Sequence, residues 1–272
     1  MDSIARVITV LFDAVSLPFG SRRALALVIL SVLSGAVLAL LFRATSKPAA
    51  IKRARDRFQA RVLEMRIYPD DPVLLTRAFF GALATQGAYF RATAKPILIL
   101  LLAALPVYFQ LESRFAHRPL RANERAVVTM TLKPGLDVHA VPVSLQGSDE
   151  IAVEPRSVRA PAAREIVWRV EPKAYGRHEL VARAYDLAYA FPINAEESAR
   201  ALGCKRSASR WDGFQHAGLP SIPPPSAIQS VRVSYPEASY RLMGARMGWL
   251  SLFLLGTLVG GLIPVVVLRI QM

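Results

Sequence analysis

The chain has 272 residues, 53% of them hydrophobic, with a formal charge of +14 and a mean hydropathy of +0.32. That composition excludes a disordered chain, a collagen and a disulfide-stapled mini-domain, and it argues against a wholly water-soluble domain. The single Cys204 cannot form an internal disulfide, and four histidines (His117, His139, His178, His216) spread along one segment write no cysteine/histidine zinc motif.

Residues 1–21 open the chain with Ile4, Val7, Ile8, Leu11, Phe12 and Val15 at helical spacing and Asp2, Arg6 and Asp13 elsewhere, before 17–21 breaks the pattern. An interfacial amphipathic helix lying flat before a first span fits best. A signal peptide competes, since Arg22 and Arg23 precede an apolar run. That run is longer than a usual signal core and leads into Arg43 and a basic stretch instead of a small-residue cleavage site. Residues 22–43 form the expected first transmembrane helix. Within it, 24–42 are nineteen residues without a charge, broken only by Ser31, Ser34 and Gly35, just enough at about 1.5 Å per residue to cross roughly 30 Å of hydrocarbon.

Residues 44–95 read as a coiled helical hairpin. Ser46 can cap a helix with Pro48 in its first turn; Ile51, Ala54, Phe58, Val62 and Met65 fall on one face, and Lys52, Arg53, Arg55, Arg57 and Arg61 cover the rest. The run Tyr68-Pro69-Asp70-Asp71-Pro72 stops that helix, and Asp70 or Asp71 can cap a second one over about 73–92, with Leu75, Phe79, Leu83 and Phe90 as its stripe. Two such helices should fold back on each other as an antiparallel pair. The basic face has two readings: a solvated surface made basic by the topology rule alone, or a surface for acidic lipid head groups, ribosomal RNA or an acidic partner. No base-reading motif accompanies it, so sequence-specific nucleic-acid recognition is not expected.

Residues 96–113 are the second expected span, short at sixteen uncharged residues and interrupted by Pro106. From 114 to 240 the periodicity becomes alternating. Stretches 126–132, 138–145, 165–170, 178–185 and 228–235 read as strands of a small antiparallel β-sandwich, with Trp168 and Tyr185 as core candidates and Pro142 marking an edge or a bulge. The piece 194–227 is irregular, with a short helix expected over 196–202 and extended proline-rich chain over 218–225. Residues 241–269 hold the third span, its apolar block beginning near Trp249, with Gly256 and Gly260 spaced for close helix packing; glycine is also simply common in membrane helices.

Eleven basic residues between the first two spans, against three before the first, place residues 43–95 in the cytoplasm, the amino terminus and the 112–240 segment outside, and the carboxyl terminus inside. Arg114, Arg118 and Arg121 at one outer span end, and Arg241 and Arg246 at the other, oppose that count, although the segment they bound is too long for charge counting to apply. Motifs for serine hydrolysis, phosphate loops, zinc proteases and dinucleotide binding are absent, and no enzymatic activity or cofactor is expected. An acid/base site built from His178, Glu179, Asp186 and His216, a metal pair at Asp70 and Asp71, and a reactive Cys204 are each outweighed by ordinary surface or capping roles.

The order of an outside amino terminus, a span, a basic helical hairpin over 51–96, a second span, an outer segment and a third span resembles the minimal core of the Oxa1/YidC superfamily. The resemblance covers 24–111 and 247–269 as layout and carries no specific motif. It implies a membrane protein that helps other helices enter or assemble, using a polar groove that often holds a positive residue; the candidates here are Ser31 and Ser34, with Arg43 only at the edge of the span, a departure from that pattern. The β domain between the second and third spans departs from the small relatives. The resulting expectation is a non-catalytic bacterial inner-membrane protein that meets lipid, nascent chains or membrane proteins, and a periplasmic partner. A scaffold subunit of a larger complex is the alternative.

Overall fold

In the computed structural model, described residues run from 2 to 267, apart from 21, 47, 68–69, 186, 199, 210–211, 213–214, 216–220 and 243. Lys47, Tyr68, Pro69, Asp186, His216, Gly218, Leu219, Pro220, Leu268 and Arg269 lie outside the described residues, as do the side chains of Asp2, Ile4, Arg6, Pro48 and Ile51. The described residues form helices α1 (Asp2–Ser16), α2 (Arg23–Thr45), α3 (Pro48–Ile67), α4 (Pro72–Phe115) and α5 (Trp249–Val267). Three of them, α2, α4 and α5, are long and apolar enough to cross a membrane. The chain divides into two compact units, 1–30 with 106–255 and 31–105 with 256–272, whose boundaries fall within those three helices.

The first unit contains two antiparallel sheets built around one core. Strand β1 (Ala126–Leu132) is central, between β5 (Glu165–Pro172) and β9 (Ile228–Val233). Strands β3 (Ile151–Val153) and β4 (Val158–Ala160) pair with β5, and β8 (Lys205–Ser207) closes the far edge on β9. The second sheet runs β2 (Val143–Gly147), β6 (Arg177–Ala184), β7 (Leu187–Asn194). Val128 and Met130 of β1, Ile166 and Trp168 of β5, Val231 of β9, Leu180 and Ala182 of β6 and Phe191 of β7 join in the same buried cluster, because alternate residues of each strand point inward. Pro142 sits immediately before β2, an edge strand of its sheet, where the missing N–H leaves the ladder intact.

Three expectations are corrected here. Tyr185 is not in the core: it is 55% exposed at the β6–β7 hairpin, where a φ of +53° turns it outward. Residues 138–142 are turn rather than strand, and the described residues of 196–202 form no helix. Strand β7, which follows the hairpin, buries Tyr189, Phe191 and Ile193 at alternate positions and includes Pro192.

The chain enters and leaves this β region side by side. Ala238 N–H donates to Ala116 O and Arg118 N–H to Pro236 O, so 116–118 pairs with 236–238. A hairpin of β10 (Ser239–Leu242) and β11 (Ala245–Gly248) then leads into α5, turning at Gly244 with φ +86°. Tyr240 donates to Phe115 O at 2.8 Å and is buried with Leu27, Leu111 and Phe253 in a second cluster.

In the second unit α3 ends at Ile67 and α4 begins at Pro72. Asp71 caps α4, its Oδ1 accepting from Val73 N–H at 2.9 Å and Leu74 N–H at 3.0 Å, with Pro72 at the first helical position. Helix α4 then runs for 44 residues past Pro96 and Pro106, so no break in the helix separates the hairpin arm from the second apolar block. The large stripe of α4 does not face α3. Leu75, Phe79, Leu83 and Phe90 are exposed, whereas Ala78 and Ala82 are buried.

Candidate functional site

Lys52, Arg53, Arg55 and Arg57 are exposed on α3, and Arg61 is half-buried. Arg53 Nε donates back to Ala49 O at 3.1 Å, and Arg61 pairs with Glu64 one turn on at 2.7 Å. Arg61 lies against α4 at Gly81, where a Cβ would come within 3.0 Å of its Nε. Arg57, Arg61, Leu63, Glu64 and Ile67 form one wall of a groove of about 730 Å³, and Gly81, Ala84 and Thr85 form the other. The structure therefore brings two of the five basic residues to a groove and leaves three on the outer surface. Beside them, Leu63, Ile67, Phe79, Phe80, Leu83 and Phe90 are all more than half exposed. The hairpin thus presents cations and large apolar side chains together, a surface chemistry suited to amphipathic or apolar segments of other chains.

Ser31, Ser34 and Arg43 do not converge. Ser31 is 0% exposed and sits against Gly256, where an added Cβ would lie 2.5 Å from the serine Cβ; it is part of a closed helix contact instead of an open wall. Ser34 is half-buried, and Arg43 is exposed in the last turn of α2. Gly256 and Gly260 are where α5 meets α2. A Cβ at Gly260 would fall 2.0 Å from Val32 O, and one at Gly35 2.1 Å from Thr257 O, so backbone approaches backbone at these two glycines.

A buried cluster at the carboxyl end of α4 escaped the reading of the sequence. Arg114 is 0% exposed, yet it carries a fixed charge. It donates to Asp13 Oδ1 at 2.6 Å, to Thr9 O at 3.1 Å and to the backbone and side-chain oxygens of Gln110, and it lies over the Phe12 ring. Gln110 Nε2 also donates to Thr9 Oγ1 at 3.1 Å. These contacts hold α1 on α4, with Val7, Val10 and Leu11 turned outward. Arg23, at the start of α2, donates to Arg114 O and to His117 O at 2.6 Å, satisfying carbonyls that the end of α4 leaves open. The available signal was the crowding of arginines at the ends of apolar blocks; pairing residues 91 positions apart needed the fold.

His117, His178 and Cys204 each have close partners among the described residues. Burial and the Arg23 charge push the His117 imidazole below its ordinary value, against the pull of Glu237. Cys204 Sγ lies 3.9 Å from His117 Nδ1, but burial pushes the thiol up to about 11, which keeps it protonated and poorly nucleophilic. His178 is buried, with Nδ1 2.9 Å from Glu150 and Nε2 2.9 Å from Ala174 O, partners other than those expected for an acid/base site. Asp71 is occupied as a helix cap. No family model, curated protein or solved structure matches the chain.

Proposed function

We propose that this is a three-span, multi-pass protein of the bacterial inner membrane that aids membrane-protein insertion or assembly without catalysis. Its amino terminus lies outside, its hairpin and carboxyl terminus lie in the cytoplasm, and its β domain is periplasmic. The observation that carries the reading is the hairpin surface. Phe79, Phe80 and Leu83 stand exposed on α4 while Lys52, Arg55 and Arg57 stand exposed on α3, so one arm offers apolar grip and positive charge to an emerging segment or its ribosome. Helix α4 continues from that arm into the second apolar block, and the layout resemblance to the insertase superfamily points the same way.

A photo-crosslinker at Arg57 should capture nascent membrane proteins in several sizes during translation; capture of one stable companion alone would reject the insertion role. A second reading, a scaffold subunit whose β domain docks a periplasmic partner, is favoured by the closed Ser31–Gly256 contact, which leaves no polar opening at that point. Purification in mild detergent separates the two, because a scaffold subunit should retain a stoichiometric companion.

A further inference from the structure

A cavity of about 600 Å³ opens at the first turn of α2, lined by four arginines, Arg22, Arg23, Arg118 and Arg121, and by two carboxylates, Glu197 and Glu237. Arg118 is already engaged, bidentate to Glu124 at 2.7 Å on each arm. Arg22 and Arg121 are exposed and make no ion pair among the described residues. Arg23 is the unusual member. It is only 9% exposed, its partners are neutral carbonyls, and its Nε has no acceptor among the described residues. A guanidinium cannot relieve burial by losing its proton, so the cost of desolvation calls for an anion nearby. Arg22, Arg23 and Arg121, which make no ion pair among the described residues, outnumber the two carboxylates, and the cavity lies at Ala24 and Leu25 in the first turn of a 23-residue helix, its positive end.

The surroundings select the kind of anion. The cavity sits where a helix apolar enough to cross a membrane begins, and half-exposed Leu25 projects from the same turn. In the same unit, Tyr108 and Trp249 pack 5.4 Å apart where α5 starts, the aromatic pairing expected at head-group depth. We propose that this cavity binds the phosphate of an anionic membrane phospholipid, with Arg22, Arg23 and Arg121 supplying the charge and Leu25 an acyl-chain contact. The inference rests on the membrane reading above but is independent of any role in insertion.

The test uses the full chain, delipidated in neutral detergent and offered an equimolar mixture of phosphatidylglycerol and phosphatidylcholine, with retained lipid measured by mass spectrometry. The wild type should retain phosphatidylglycerol preferentially, and Arg22→Gln with Arg121→Gln, both at exposed positions, should cut that preference about fivefold for each cation removed. Equal retention of the two lipids by the wild type, or an unchanged preference in the double variant, overturns the proposal. Inorganic phosphate is the second arm: if it raises Tm as much as phosphatidylglycerol does, the site takes a soluble phosphate and the lipid assignment is overturned. Carbonate extraction of native membranes tests the membrane reading separately. A chain that resists extraction but shows no lipid preference refutes this site alone.

Discussion

The β region and the helical unit use the same large apolar residues in opposite places. In the sheets, Met130, Ile166, Leu180 and Ile193 are fully buried. In residues 31–105 and 256–272, Leu33, Val37, Leu102, Leu258 and Val259 face outward, while the positions that meet another helix are Ser31, Gly35, Gly256 and Gly260. The first pattern is what water imposes; the second is what hydrocarbon permits, since apolar side chains gain nothing there by turning inward and close backbone approach supplies the attraction. The contrast is the strongest physical support for reading α2, α4 and α5 as spans.

Breaking the glycine contact should have the largest effect. Gly260→Leu would drive a side chain into the Val32 carbonyl, and folded, monodisperse protein recovered in detergent should fall about tenfold or more. Gly87→Ala, on the hairpin arm where a Cβ meets nothing, should leave the yield unchanged. In the β region the vulnerable feature is volume. Trp168→Ala should cost about 3–5 kcal/mol, read as faster amide exchange in β5 and its neighbours β1 and β3. A loss below about 1 kcal/mol would mean that the two sheets do not share a water-excluding core.

Cys204 reports on the same exclusion of water. Its thiol, pushed up to about 11 by burial, should alkylate at pH 8 about a hundredfold more slowly than a free cysteine, and unfolding should abolish the protection. The smallest effect concerns the entry to the β region. Hydrogen bonds from Arg118 hold the Glu124 carboxyl below the usual carboxylate range. The stability this contributes is complete above the unfolded carboxylate pKa, near 4.3, and disappears as pH falls through the lowered folded value. Because the pair is partly exposed, Glu124→Gln should lower stability at pH 7 by no more than about 0.5 kcal/mol, and the urea midpoints of variant and wild type should converge as pH falls through the lowered folded value.

What could be read in advance follows from the range of the forces involved. Strand β1 occupies the expected 126–132, and β5, β6 and β9 lie within a few residues of their expected bounds, because period-two alternation is a local signal. Strands β3, β4 and β8 are three residues long and carry no period, and they exist only through their partners. Tyr185 looked like core because it is aromatic and adjoins a strand, but a hairpin tip decides its direction. Lys95-Pro96 looked like a boundary between hairpin and span, yet a proline removes only one helical hydrogen bond, and α4 continues. Among the proposed site residues, Gly256 and Gly260 carried their geometry in their spacing. Ser31 did not, since a small polar residue serves a groove or a tight contact equally well until its neighbour is known. The Arg23–Arg114 cluster was visible only as charge at the wrong end of apolar blocks.

The clamp on α1 has a consequence for the order of assembly. Asp13 is made 101 residues before the Arg114 that receives it. At a synthesis rate of roughly 5–20 residues per second, the first helix therefore waits on the order of 5–20 seconds after it emerges. Throughout that interval Asp13 and Phe12 lack the guanidinium that the end of α4 brings to them. Its docking is thus a late event, completed only when the far end of the longest helix has left the ribosome.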